Sequence, residues 1–178
     1  MTAALARWSG VLLATAVGLP VAGLAAAVLG ARHRQRGRPG RYAVAEVLLV
    51  AGTLPWLWMV LTPEPAGTGR LRLVPLADLL SLAPTEVVVQ VGGNLLVFAA
   101  LGALLPVRWR AGTPTVALVA AVASVTVEVL QYVLDLGRAS TVDDVLLNTV
   151  GAVLAAQASR PWWRIRSGDD AGVGGPVR

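Results

Sequence analysis

The chain has 178 residues, of which 56% are hydrophobic and only 14% are charged, and its formal net charge is +5. About a quarter of the residues of a soluble domain are charged, so this composition indicates a membrane protein. There is no cysteine and a single histidine, His33, which excludes disulfides, thiol catalysis and histidine-rich metal sites. We therefore expect neither a metal nor another cofactor. All basic residues are arginines, and the five of residues 32–41 have no Phe, Trp or Tyr between them, a pattern that argues against nucleic-acid binding.

Five apolar runs follow one another along the chain. Each is close to the roughly 17–25 residues that a helix needs to cross the hydrocarbon core. The runs are Trp8–Gly30, Tyr42–Leu61, Val87–Leu105, Thr115–Leu134 and Val142–Ala158. We predict an all-α, polytopic membrane protein built as a bundle of about five transmembrane helices.

Three regions are expected along the chain. Residues 1–41 form an extra N-terminal transmembrane helix followed by an arginine-rich cytoplasmic loop. This helix should be retained, because it is too long for the apolar part of a signal peptide and its positive charge follows it. Residues 42–160 form the main helical membrane domain, and residues 161–178 form a cytoplasmic tail that is disordered after 166.

The arginines predict the orientation of the bundle. With the N-terminus outside, eleven arginines lie on the cytoplasmic side and four lie outside. Cytoplasmic loops of membrane proteins are enriched in positive charge, so the pattern favours N-out, C-in in the cell membrane. The net positive charge further predicts contact with anionic lipids on the cytoplasmic face.

Polar side chains interrupt the third and fourth runs and occupy the start of the fifth. Such groups are costly inside a membrane, so they indicate a functional site or a packing contact. In the predicted orientation they lie in the outer halves of three helices and in the loop between the last two. We therefore predict one contiguous, outward-facing polar cluster. Its members are Asn94, Glu128, Gln131, Arg138, Asp143, Asp144 and Asn148.

Each of these residues also has a structural interpretation. Ser140 and Thr141 each precede an aspartate by three residues, a spacing typical of helix N-terminal capping. The amides would then join neighbouring helices, and Glu128 would form an internal ion pair with Arg138. Four glycines are predicted to be close-packing positions: Gly92, Gly93, Gly102 and Gly151.

The same groups have the chemistry to bind a polar ligand. Arginine makes forked contacts with anions such as phosphate, and amides add hydrogen bonds. We expect a lipid head group or a lipid-linked wall precursor. A membrane-embedded enzyme of lipid-linked substrates, with Glu128 or Asp144 as acid or base, is an alternative, and so is a structural partner of another membrane protein. Catalytic residues stay unassigned because no serine, histidine or cysteine nucleophile accompanies the acids.

The order and spacing of the polar residues resemble the VanZ-like family of small bacterial membrane proteins, over roughly residues 61–158. The matching elements are Val74-Pro75-Leu76, the segment NLLVFAALG at 94–102, Glu128 with Gln131, Arg138, Asp143-Asp144, Asn148 and Gly151. Two positions depart from the family pattern. Ala100 stands where a proline is usual, and Ser140-Thr141 replaces a pair that often contains an aromatic residue and an acid.

The resemblance implies a multi-pass protein of the bacterial cell envelope. The named member of the family is linked to teicoplanin resistance, so an effect on glycopeptide susceptibility is part of this expectation. The expected partners are membrane lipids and a lipid-linked envelope precursor, and the oligomeric state is left open.

Overall fold

The computed structural model describes residues 2–64, 71–75, 83–109 and 111–163, with side chains from residue 17 onward. This part of the chain is predominantly helical, which confirms the predicted all-α fold class. The predicted disordered tail after residue 166 lies outside the described residues. The elements in chain order are α1 (Thr2–Gln35), α2 (Gly40–Val60), β1 (Leu71–Arg72), α3 (Pro84–Val97), α4 (Ala99–Arg108), α5 (Thr113–Val133), β2 (Ser140–Thr141) and α6 (Val142–Ala158).

Three helical segments of the described residues are long and apolar enough to cross a membrane. They are α2, the combined α3–α4 segment Pro84–Arg108, and α5, with mean hydropathies of 1.7, 2.0 and 1.9. The helix α6 has 17 residues, at the lower end of the spanning range. The apolar helices support a membrane protein, while the number of crossings stays a prediction.

The third apolar run differs from its predicted form, a single helix from Val87 to Leu105. The helix begins earlier, at Pro84, because proline suits the first turn of a helix and the Glu86 carboxylate accepts a hydrogen bond from the Ala83 N–H at 3.2 Å. It is then interrupted at Phe98, which has φ −111° and ψ 17° and separates α3 from α4. The Phe98 side chain is buried at this break.

Contacts divide the chain into two compact units, Met1–Ala51 and Gly52–Arg178. In the first unit, α1 is followed by a turn that leads into the first half of α2. Gly37 adopts a φ of +67° in this turn, a conformation that glycine reaches without steric cost. His33 of α1 is buried, and its Nε2 lies 3.5 Å from Oε2 of Glu46 on α2.

In the second unit, α6 packs against α3, α4 and α5. The core consists mostly of small and branched side chains: Val97, Phe98, Val116, Ala120, Val127, Ala152 and Ala156. Small residues let helix backbones approach closely. At two glycines the backbones of neighbouring helices are in direct contact. A β carbon on Gly102 would overlap the Ala152 carbonyl, and one on Gly151 would overlap the Leu95 carbonyl.

The close-packing prediction is therefore confirmed for Gly102 and Gly151. It is wrong for Gly92 and Gly93, where an added β carbon would meet no described protein atom within 4 Å. Both of these glycines lie on α3, on parts of the helix surface that no neighbouring element covers this closely. A glycine in an apolar helix thus indicates close packing only where the backbone of another element passes directly beside it.

Candidate functional site

Asp144, in the first turn of α6, is the centre of the polar cluster. Its Oδ1 accepts a hydrogen bond from Gln90 Nε2 at 2.9 Å and a second one from Asn94 Nδ2. Gln90 and Asn94 are four residues apart on α3, so both amides lie on one helix face and reach the same carboxylate. The Asp144 N–H donates to Thr141 Oγ1 at 3.0 Å, which confirms the capping interpretation for Thr141.

Glu128 approaches this centre from α5. Its side chain is buried, and Oε2 accepts the backbone N–H of Thr141 at 3.0 Å. The Ser140 hydroxyl donates to the Glu128 main-chain carbonyl at 3.0 Å, so β2 is held against α5 at two points. Thr141 links the two acids, because its N–H donates to Glu128 and its hydroxyl accepts from the Asp144 N–H. Carboxylates from α5 and α6 are thus bonded to the same residue.

Arg138 lies in the segment between α5 and β2. Its ion pair is with Glu64, with 3.9 Å between Nη1 and Oε1. Among the described contacts there is no direct Arg138–Glu128 ion pair, so that structural interpretation is wrong in its direct form. The Glu64 side chain is 64% exposed and that of Arg138 is 31% exposed, and a long, partly exposed pair of this kind contributes little to stability.

A short parallel pairing of β1 with β2 closes one side of the site. Leu71 pairs with Ser140, and Arg72 pairs with Thr141. The polypeptide between α2 and α3 is thereby brought beside the start of α6, and Arg72 is a second arginine in this region. No alternation of apolar and polar residues predicted a strand here, because two residues are too short to show a period of two.

Gln131 and Asn148 extend the polar contacts deeper between the helices. Gln131 Nε2 donates to the Val60 carbonyl at 2.8 Å and joins α5 to α2. Asn148 Nδ2 donates to Ser124 Oγ at 2.8 Å and joins α6 to α5. Both side chains are buried, as is Asp143 beside the central carboxylate. Gln131 and Asn148 thus have the geometry of interhelical ties.

The structure adds four residues to those expected from the sequence: Gln90, Ser124, Glu64 and Arg72. Gln90 had a usable signal, because it precedes Asn94 by one helical turn. Ser124 likewise precedes Glu128 by one turn. Serine is common inside apolar helices, so this position alone does not indicate a polar site. Glu64 and Arg72 lie outside the predicted helices, so only the tertiary structure relates them to the site.

The arrangement offers acceptors and donors in separate places. The carboxylates of Asp144 and Glu128 accept hydrogen bonds from the α3 amides and from the Thr141 N–H, and the nearby segments β1 and residues 134–139 carry Arg72 and Arg138. Such a site can hydrogen-bond hydroxyl groups with its acids and amides and can hold an anionic group with its arginines. No group of three histidine, aspartate or glutamate side chains in the described part of the chain is arranged to hold a metal ion.

The helical fold and its apolar segments define an integral membrane protein with a polar site between α3, α5 and α6. A family model described as VanZ/LLP1 matches residues 48–162, more than half of the chain. The chain therefore belongs to the VanZ-like family. Every residue of the polar cluster lies inside the matched region, and most of the first unit lies outside it. No curated protein and no solved structure matches this chain.

Proposed function

We propose that this chain is a multi-pass protein of the bacterial cell membrane, oriented N-out and C-in, whose polar cluster faces outward and binds the head group of a lipid or lipid-linked wall precursor. Through this binding it affects glycopeptide susceptibility. The observation that carries the proposal is the environment of Asp144. Its carboxylate is only partly buried and is oriented by two amides of α3.

The chemistry of a sugar phosphate fits these groups. Sugar hydroxyls donate to carboxylates, and here Asp144 is held in place by Gln90 and Asn94. A phosphate prefers the planar donors of arginine, and Arg138 lies in the loop that precedes α6. A lipid-linked precursor presents both groups at the membrane surface, where its lipid chain keeps the head group at the level of the polar cluster.

The main test replaces Asp144 with asparagine. The Asp144→Asn side chain keeps an oxygen that can accept from Gln90 and Asn94, so the bundle should fold normally. It loses the charge, and a hydrogen bond to a charged group contributes about 1.5–3 kcal/mol, which corresponds to a loss of roughly tenfold or more in affinity. Asp135→Asn is the matched control, because Asp135 is exposed and has a φ of 48°, a conformation that asparagine also tolerates.

Binding is measured by titrating the purified protein in detergent with a lipid-linked disaccharide diphosphate. Weaker binding by Asp144→Asn alone, together with a changed glycopeptide susceptibility in cells, is the expected result. Equal affinity in the wild type and both variants would contradict the proposal. Release of a cleaved product during the titration would favour the enzymatic alternative instead, because simple binding leaves the precursor intact.

A further inference from the structure

The first unit contains a groove that belongs to none of the features described above. It has a volume of about 640 Å³. The residues that line it come from the last turns of α1 and the first turns of α2: Ala26, Ala27, Gly30, Ala31, Arg34, Gly40, Arg41 and Val44. The members from α1 recur at three- and four-residue intervals, so they form one face of that helix.

The groove has an apolar floor and a cationic end. Its apolar lining consists of three alanines, two glycines and a valine, whereas Arg34 and Arg41 occupy the end nearest the turn between the helices. From Ala26 to Arg34 the floor runs for roughly 12 Å, at 1.5 Å per residue. The side chain of Arg34 crosses this end, since a β carbon on Gly40 would lie 3.5 Å from Arg34 Nε.

Charge near the groove is strongly one-sided. Residues 17–51 contain five arginines and one acid, Glu46. Glu46 lies 3.5 Å from the buried His33. Arg32, Arg36 and Arg38 are exposed around the same turn, so the potential at the groove end is positive.

We propose that this groove binds one anionic glycerophospholipid, with the phosphate against Arg34 and Arg41 and an acyl chain along the alanine and glycine floor. Arginine suits a phosphodiester because its guanidinium group donates two parallel hydrogen bonds. A free phosphate would use only the cationic end, whereas a phospholipid also covers the apolar floor. The occupant is therefore a lipid of the leaflet that these arginines face.

Two matched pairs of variants test the charge and the floor separately. Arg34→Gln removes one cation from the groove, and Arg36→Gln removes one exposed cation from the same turn outside it. Gly30→Leu places a side chain in the groove, and its β carbon meets no described atom within 4 Å. Gly18→Leu is its control, since a β carbon on Gly18 likewise meets no described atom within 4 Å and Gly18 does not line the groove.

The measurement is the apparent dissociation constant of the first phosphatidylglycerol bound to the detergent-purified protein, followed by native mass spectrometry. Phosphatidylcholine and inorganic phosphate are the comparison probes. Arg34→Gln should weaken phosphatidylglycerol binding about tenfold, and Gly30→Leu by a similar factor. Arg36→Gln and Gly18→Leu should stay within about twofold of the wild type. Phosphatidylcholine should bind more weakly, and excess inorganic phosphate should not displace the lipid.

Three results would overturn the inference. Equal weakening by Arg34→Gln and Arg36→Gln would show that only net charge matters. Wild-type binding by Gly30→Leu would show that no chain occupies the floor, and displacement by inorganic phosphate would assign the cationic end to a free anion. If one of the variants does not fold, the other pair and the comparison probes on the wild type can still overturn the inference.

Discussion

Gly151 is a position where α6 contacts α3 with no space for a side chain. A β carbon there would lie 2.6 Å from Leu95 Cα and would overlap the Leu95 carbonyl oxygen. Carbon atoms in contact need about 3.5–4.0 Å, so Gly151→Ala forces the two backbones apart by roughly 1 Å. Overpacking of this kind lowers the free energy of unfolding by about 1–3 kcal/mol.

The same displacement should reach the polar cluster. Leu95 directly follows Asn94, whose amide donates to Asp144. A separation of roughly 1 Å between α3 and α6 lengthens this hydrogen bond toward the limit at which it loses its strength. We therefore expect Gly151→Ala to reduce both the stability of the bundle and binding at the proposed site.

The control is Gly92→Ala on the same helix as Asn94. A β carbon on Gly92 meets no described atom within 4 Å, and alanine is favoured over glycine in a helix by about 1 kcal/mol. This variant should be as stable as the wild type or slightly more stable. Unfolding in detergent micelles titrated with sodium dodecyl sulfate, followed by circular dichroism, measures the difference. If both variants unfold at the same detergent composition, the proposed close approach of α3 and α6 is refuted.

Three further predictions follow from the contacts and the charges. Ser124→Ala removes the 2.8 Å partner of the buried Asn148 amide and should lower the free energy of unfolding by about 1–3 kcal/mol. In a double-mutant cycle with Asn148→Leu, purely additive losses would argue against the contact. Thr141→Ala removes the N-terminal cap of α6 and should lower the free energy of unfolding by about 0.5–2 kcal/mol. Thr141→Ser keeps a hydroxyl and should resemble the wild type in the same assay. Equal losses of stability in the two variants would exclude capping. A reporter active only in the cytoplasm should be active when fused after Gly40 and inactive after Gly69, and the reverse pattern would invert the topology.

The residues of the cluster were largely predictable, because polar groups in apolar helices are rare enough to be informative. Asn94 and Asp144 are 50 residues apart in the chain and nevertheless form a hydrogen bond. Both residues lie at a similar depth in the predicted bundle, and that was sufficient to predict that they lie close together. The partners were harder to predict. Arg138 pairs with Glu64 instead of Glu128, because the Glu64 N–H donates to the Leu136 carbonyl at 2.8 Å and so holds this acid beside the segment that carries Arg138.

Composition and run length determined the class of this protein, since a long helix rich in apolar side chains satisfies its own backbone and suits hydrocarbon whatever surrounds it. Features that depend on two distant segments were decided only in three dimensions. The break at Phe98, the Gly102 and Gly151 contacts, and the β1–β2 pairing that brings Arg72 beside Thr141 all depend on a neighbouring element. The sequence pattern of a helix indicates which of its surfaces is apolar. Which element packs against that surface depends on how well the shapes of the two surfaces fit.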